Sequence, residues 1–327
     1  VDVPMWAWIA VIGGLLVVLA VDLWIVDRGE AREFSMRQAG YWVTFYVALA
    51  VAFGALLWAV GGGGAAGEFF AGYITEYSLS VDNLFIFFII MSRFAVPKAY
   101  QHKVLLVGIL LALVMRGIFI ALGAAALERF SWLFYVFGAF LVYTAINLVR
   151  QHLKGDEEEF NENAVLRWVR RAFPTTEGYV GSKVTVKIDG RRMVTPMLIV
   201  MVAIGSTDLL FALDSIPAIF GLTKDPFIVF TANAFALMGL RQLYFLLGGL
   251  LQRLVYISYG LAFILGFIGV KLVLEALHSS HVSWAPQIPI WVSLSVIGAT
   301  MVITTVASLI KARIDARKGE ETHPEQV

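Results

Sequence analysis

Two pairs of acidic residues, each pair spaced six positions apart, lie inside apolar stretches of this chain: Glu76 and Asp82 in EYSLSVDNLFIFFII, and Asp208 and Asp214 in STDLLFALDSIPAIF. A charged side chain at the centre of a bilayer costs at least ~2.5 kcal/mol on insertion scales, so carboxylates kept there face a partner or a polar path. Oxygen donors of this kind, with Asn83, Ser215 and Asn233 as further ligands, suit hard cations such as Mn²⁺, Ca²⁺ or Mg²⁺. The chain has no cysteine, which excludes disulfides, thiolate metal sites, iron–sulfur clusters and a cysteine nucleophile. Its histidines, His102, His152, His278, His281 and His323, fall in or beside expected loops. Desolvated carboxylates can trade a metal for protons, so cation/proton exchange is the expected chemistry.

The elements that must hold these acids are membrane helices. Hydrophobic residues make up 59% of the 327 and charged residues 15%, with a mean hydropathy of +0.79, whereas soluble domains run nearer ~25% charged. A net charge of +1 with no basic stripe argues against a nucleic-acid partner. The lipid bilayer is the expected surrounding. Apolar runs long enough to cross a ~30 Å core place nine spans at about 4–26, 39–60, 68–91, 103–126, 131–150, 196–219, 226–247, 254–276 and 286–309. Arg28, Arg32, Arg37, Arg93, Lys98, Lys103, the basic residues of the fifth loop, and Lys311, Arg313, Arg317 and Lys318 all fall on one side of that arrangement. The positive-inside rule then puts the N-terminus outside a bacterial inner membrane and the C-terminus in the cytoplasm. The first run has the length of a retained helix and no basic region before it, so a cleaved signal peptide is not expected.

The fifth loop carries the acidic connector GDEEEFNEN and then a short amphipathic helix. In that helix Val165, Trp168, Val169 and Phe173 oppose Arg167, Arg170 and Arg171, a pattern that fits an anionic leaflet or a cytosolic surface. KVTVKIDGRRMVTP follows, alternating around Asp189-Gly190 as a hairpin does. Gly61 to Gly64 lack the Gly-Lys-Ser/Thr ending of a phosphate loop and read as a turn. No resident cofactor is expected. Trp6, Trp8, Trp284 and Trp291 are candidate interface anchors.

The two halves of the chain resemble each other. RGIFIALG at 116–123 matches RQLYFLLG at 241–248, an offset of 241 − 116 = 125. ERFSWLFYVFGAFLVYTAINLV matches QRLVYISYGLAFILGFIGVKLV at 124, pairing Arg129 with Arg253 and Asn147 with Lys271. The acids pair at 208 − 76 = 132 and 214 − 82 = 132. Spans three to five thus recur as spans six to eight, and a unit with an odd number of spans enters from the opposite side the second time. The expected fold is an all-α integral membrane protein of about nine transmembrane helices with an inverted three-helix repeat. Its parts are helices one and two (1–66), the first repeat (67–150), a cytoplasmic loop (151–195), the second repeat (196–277), the ninth helix (278–310) and a tail (311–327).

Local sequence suggests helices broken near Ser78 and Ser80, near Gly205 to Thr207, and at Pro217. Residues six apart on an unbroken helix stand 6 × 100° = 600°, or about 120°, apart around the axis. Either the helices unwind so that both acids reach one ion, or only one of each pair does, with Asp82 and Asp214 the firmer members. Arg116, Arg241 and Lys271 are expected to neutralise and orient the carboxylates.

EYSLSVDNLFIF, STDLLFALDSIPAIF and DPFIVFTANAFALMGLRQLYFLL resemble the TerC/Alx family of bacterial integral membrane proteins, a likeness running from about residue 5 to 310. The resemblance implies manganese efflux or homeostasis, with Glu76, Asp82 and Asn83 on the first acidic motif and Asp208 and Asp214 on the second. Tellurium resistance, the source of the family's name, reads as an indirect phenotype. A second reading is a membrane protein that delivers metal to, or assembles with, enzymes of the cell envelope. An intramembrane aspartyl protease needs Gly-x-Gly-Asp, whereas Asp208 follows Gly205-Ser206-Thr207, and no enzymatic activity is expected.

Overall fold

The computed structural model describes residues 3–27, 36–130, 132–154, 164–181, 183–188, 191–247, 256–280 and 284–322. They form α1 (Met5–Asp27), α2 (Met36–Arg93), α3 (Lys98–Arg129), α4 (Leu133–Lys154), α5 (Ala164–Ala172), β1 (Thr185–Ile188), β2 (Arg191–Val194), α6 (Pro196–Phe220), α7 (Pro226–Met238), α8 (Leu240–Leu247), α9 (Ile257–Ser279) and α10 (Ile290–Thr322). Seven helical stretches are long and apolar enough to cross a membrane, and Met5–Val21 is a shorter apolar helix.

Two glycines set boundaries here, Gly62 within the turn read at Gly61 to Gly64 and Gly239 inside the expected span seven. Spans two and three form one 58-residue helix, α2, whose Gly62 alone departs from helical geometry, at φ 79° and ψ 179°. At about 1.5 Å per residue, 58 residues extend far beyond a single ~30 Å core. Gly62 therefore divides α2, and a backbone of this shape is open essentially to glycine alone. Span seven is interrupted at Gly239, which caps α7 and separates it from α8. Pro226 at the start of α7 costs no hydrogen bond, because the first N–H groups of a helix have no partner inside it. Asp225 caps that end by accepting from the N–H of Phe227 at 2.9 Å.

The expected breaks beside the acids are absent. α2 is continuous from Gly63 through Ser80 to Arg93, and α6 is continuous from Pro196 to Phe220 with Pro217 inside it. Ser78 donates to the Ile74 carbonyl at 2.5 Å and Ser206 to the Val202 carbonyl at 2.6 Å, so both hydroxyls are satisfied within their own helix turn.

In the helical assembly α4 packs along α9, α2 against both α7 and α6, α3 against both α6 and α7, and α10 against α2 and α9. α4 and α9 approach closely at Gly138 and Gly269, where a Cβ on either glycine would stand 2.8 Å from the other's carbonyl oxygen. Beyond the helix ends, β1 and β2 form the expected hairpin, with Ile188 opposite Arg191. Its turn, Asp189-Gly190, lies outside the described residues, as do His281, His323, Arg253 and all of the acidic connector. α5 packs on α6, and among its described side chains Leu166 is buried while Trp168 is exposed, as is Phe173 just beyond it. Trp6, Trp284 and Trp291 are exposed, whereas Trp8 packs edge-on against Phe227 with ring centroids 5.0 Å apart.

Candidate functional site

The centre of the site is an arginine. Arg116, on α3, is 1% exposed. It forms an ion pair with Glu76 of α2. Its Nε and Nη2 donate to the two oxygens of Asp208 on α6, at 3.3 and 3.2 Å. Nη1 donates to Oδ1 of Asn233 on α7 at 2.8 Å, and the Asn233 amide donates in turn to the Val229 carbonyl at 3.3 Å. Glu76, Asp208 and Asn233 are all buried. Helices from both halves of the chain thus meet at one guanidinium whose planar fork grips Asp208 with two parallel bonds. Such an arrangement suits an interior site, since a buried carboxylate without a partner carries a desolvation penalty of several kcal/mol.

Asp214 goes elsewhere. Because α6 is unbroken, the six-residue spacing turns it about 120° away from Asp208. It accepts from the Thr144 hydroxyl of α4 at 3.2 Å. Together with Asn83 of α2, Asn147 and Gln151 of α4, and Phe211 it lines a cleft of about 200 Å³, floored by Leu261 and Leu265 of α9. Its polar lining is one carboxylate, one hydroxyl and three amides, oxygen donors throughout with no cation among them. Those groups can replace part of the water shell of a hard divalent ion without competing charge. Ser215, adjacent to Asp214, is buried and its hydroxyl has no hydrogen-bond partner among the described residues.

The remaining expected residues divide. Asp82 lies on α2, but its side chain is outside the described residues. Arg241 on α8 is 2% exposed, and it donates to the Gln242 amide oxygen at 3.0 Å once that amide is turned to satisfy its neighbours. Among the described residues Lys271 makes no ion pair with the central acids; it is buried on α9, in the electrostatic reach of Glu275, Glu68 and Lys224. Among the described residues, no three of His, Asp and Glu are gathered closely enough to hold a metal. The described carboxylates instead sit in separate surroundings, Glu76 and Asp208 clamped to arginine and Asp214 in a neutral cleft. Thr144, Asn147 and Gln151 escaped the sequence reading as site residues. Asn147 and Gln151 stand four apart on an apolar helix, a spacing that puts both on one face, and that signal could have found them.

The model of the integral membrane protein TerC family matches residues 62–316 of this chain. An uncharacterized membrane protein of Mycobacterium tuberculosis is 46% identical over 313 residues, covering 91% of this chain and 79% of its own. An uncharacterized membrane protein of Myxococcus xanthus is 42% identical over 306 residues, covering 94% and 92%. Alx of Escherichia coli, whose name proposes a membrane-bound redox modulator, is 37% identical over 324 residues, covering 96% and 97%. No solved structure matches the chain.

Proposed function

This chain belongs to the TerC family of integral membrane proteins, and from that premise we propose that it is a secondary transporter, not an enzyme, that exports a divalent metal cation, Mn²⁺ foremost. The observation that carries the reading is the division of labour along α6: Asp208 is locked to Arg116, while Asp214 faces an uncharged, oxygen-lined cleft. A cation reaching Asp214 finds a carboxylate with amide and hydroxyl oxygens around it. Six residues earlier on α6 is Asp208, which with Glu76 already holds a cation in the form of the guanidinium. Metal can pass that point only as the guanidinium gives up its carboxylates, so the inner step is an exchange of one cation for another.

The proposed topology has nine crossings in the bacterial inner membrane, N-terminus outside and C-terminus in the cytoplasm. It counts the two parts of α2 on either side of Gly62 separately, takes α7 and α8 as one broken span, and includes α1. Spans three to five and six to eight form an inverted repeat in this reading, and the packing supports it. Exchanging the second part of α2 with α6, α3 with α7–α8, and α4 with α9 turns the α2–α7 contact into the α6–α3 contact and returns the α4–α9, α2–α6 and α3–α7 contacts to themselves. In this orientation the cleft runs from Gln151, near the cytoplasmic end of α4 where an exporter must accept its ion, to Asp214 on the extracytoplasmic half of α6.

Moving a divalent cation outward against an interior-negative potential costs about 2 × 2.3 = 4.6 kcal/mol per 100 mV. Proton antiport supplies that work if the carboxylates take up protons as they release metal. The redox role in the name of the Alx relatives would reach this chain, which has no cysteine, through the metal it moves. Purified protein in liposomes, loaded with Mn²⁺ on the cytoplasmic side, decides the matter. Efflux should quicken when the opposite side is made acidic and vanish in Asp214→Asn. Absence of any flux from folded protein would remove transport and leave delivery or assembly at the envelope; flux indifferent to the gradient would remove only the antiport.

A further inference from the structure

The cleft at Asp214 and the ion pairs of Arg116 share α2 and α6 yet are separate. Among the described residues, Glu76, Asp208 and Arg116 are absent from the cleft lining, whereas Leu79 of α2 and Phe211 of α6 belong to it. Phe211 is three residues from Asp208 and three from Asp214, and 3 × 100° = 300° leaves it about 60° around the helix from each. Leu79 holds the same place on α2, three residues from Glu76 and three from Asp82. The two are also counterparts in the repeat, since 79 + 132 = 211. Each repeat therefore sets one large apolar side chain midway between its two acids, and both side chains reach one cleft. Both are half-buried and pack against the apolar cluster that contains Leu84 and Ile204.

Behind this apolar pair the packing is polar. Glu76, Ser80 and Asn83 follow one another at spacings of four and three, which puts all three on one face of α2. Asn83 lines the cleft, Glu76 holds Arg116, and Ser80 stands between them at 0% exposure. On α6, Asp208 and Ser215 stand seven apart and share a face in the same way. Neither the Ser80 nor the Ser215 hydroxyl has a hydrogen-bond partner among the described residues. A buried polar group left unpaired costs about 1–3 kcal/mol. A helical serine can avoid that by donating to the carbonyl four residues back, as Ser78 and Ser206 do. Ser80 and Ser215 leave their oxygens available on the faces that join the cleft to the ion pairs.

We propose that Leu79 and Phe211 are an apolar gate on the cation's route from the cleft to the ion pairs, and that the Ser80 and Ser215 hydroxyls are the oxygen donors that receive the ion inside it. A hydrated cation crosses an apolar constriction only by shedding water that the constriction cannot replace, so such a gate is closed by dewetting. A cation at Asp214 is thereby kept from the carboxylates that the guanidinium holds until the two side chains part. The spacing of the acids then has a reason: six residues place one carboxylate on each side of a single apolar side chain. The gate deepens the transport reading proposed above and rests on it for its purpose, but its test needs neither metal nor gradient.

The chain has no cysteine, so a single introduced one reports access at its own position. Purified full-length protein carries Ser80→Cys behind the gate, Thr144→Cys in the cleft before it, or Ser293→Cys on α10, a buried position away from the route. Each is reacted with a small cationic methanethiosulfonate. With Leu79 and Phe211 intact, Ser80→Cys should react at least about tenfold more slowly than Thr144→Cys, because it must wait for a local opening. Phe211→Ala, with Leu79→Ala as the second variant should the first fail to fold, should raise the Ser80→Cys rate at least about tenfold by shifting that opening, and should leave the other two rates as they were. An unchanged Ser80→Cys rate in both alanine variants, in protein that stays monodisperse, overturns the gate. So does a Ser80→Cys rate equal to that of Thr144→Cys with both apolar side chains in place, or a Ser293→Cys rate that rises alongside it, the mark of a loosened bundle. A gated Ser80→Cys in protein that moves no Mn²⁺ would remove the transport reading and leave the gate.

Discussion

Arg116 holds two carboxylates and an amide in a place nearly without solvent, and Asp214 sits on the same helix as one of those carboxylates yet faces a cleft. Substitutions at the two places should therefore fail differently. Arg116→Met leaves Glu76 and Asp208 facing each other as buried charges, and breaking a buried pair from one side costs about 3–5 kcal/mol. Its expected signature is a marked fall in thermal unfolding temperature in detergent along with loss of Mn²⁺ flux. Asp214→Asn keeps an oxygen for Thr144 and disturbs no ion pair among the described residues, so it should abolish flux with an unfolding temperature near that of the unaltered protein. Equal destabilisation by both would contradict the separation of the two surroundings. The acids themselves were legible from sequence, because charge is rare in apolar runs and the repeat matched Arg116 to Arg241. Their partners were less so. Helical geometry alone allowed either unwinding or separation, and only the continuity of α6 through Ser206 decides for separation.

Glycine sets the geometry between elements. Gly138 and Gly269 let the backbones of α4 and α9 touch, which is the packing that membrane helices use when no hydrophobic driving force holds them together. A leucine at either position must push the helices apart and with them Thr144 and the cleft wall; Gly138→Leu and Gly269→Leu should each lower both the unfolding temperature and Mn²⁺ flux. Gly298, whose Cβ would meet nothing within 4 Å, is the control: Gly298→Ala should leave both unchanged. Outside the spans, Tyr179 donates to the Phe94 carbonyl at 2.8 Å and burial raises its pKa above the ordinary tyrosine value. Its bond should hold at every pH below about 10 and be lost only as pH rises through the raised value. Tyr179→Phe should cost about 1 kcal/mol at neutral pH, read by the same unfolding measurement. Hydropathy revealed the spans and alternation revealed the β1–β2 hairpin. The turn read at Gly61 to Gly64 is where α2 divides, at Gly62. The break at Gly239 was not legible, because a glycine inside an apolar run has no hydropathy signal.

For the whole molecule, the decisive property is the parity of crossings. If α6, α7–α8 and α9 each cross the membrane, the segment before α6 and the segment after α9 lie on opposite sides, whereas α3 and α4 together return the chain to the side from which it left. Ser92, Gly178 and Gln287 are exposed and stand before α3, before α6 and after α9. Ser92→Cys, Gly178→Cys and Gln287→Cys, each the sole cysteine of its chain, should be labelled by an impermeant maleimide in a fixed pattern. Ser92→Cys and Gly178→Cys should react in inverted vesicles, and Gln287→Cys in right-side-out vesicles or spheroplasts. The weak point is α7–α8, where the break at Gly239 stands between Asn233 and Arg241, both buried. A broken span can cross or can dip and return on its own side. Were it to return, Gly178 and Gln287 would label from the same side. The second unit would then have two crossings against the three of the first, and the exchange of helices that returns the α4–α9 contact to itself could not be a two-fold relation in a membrane.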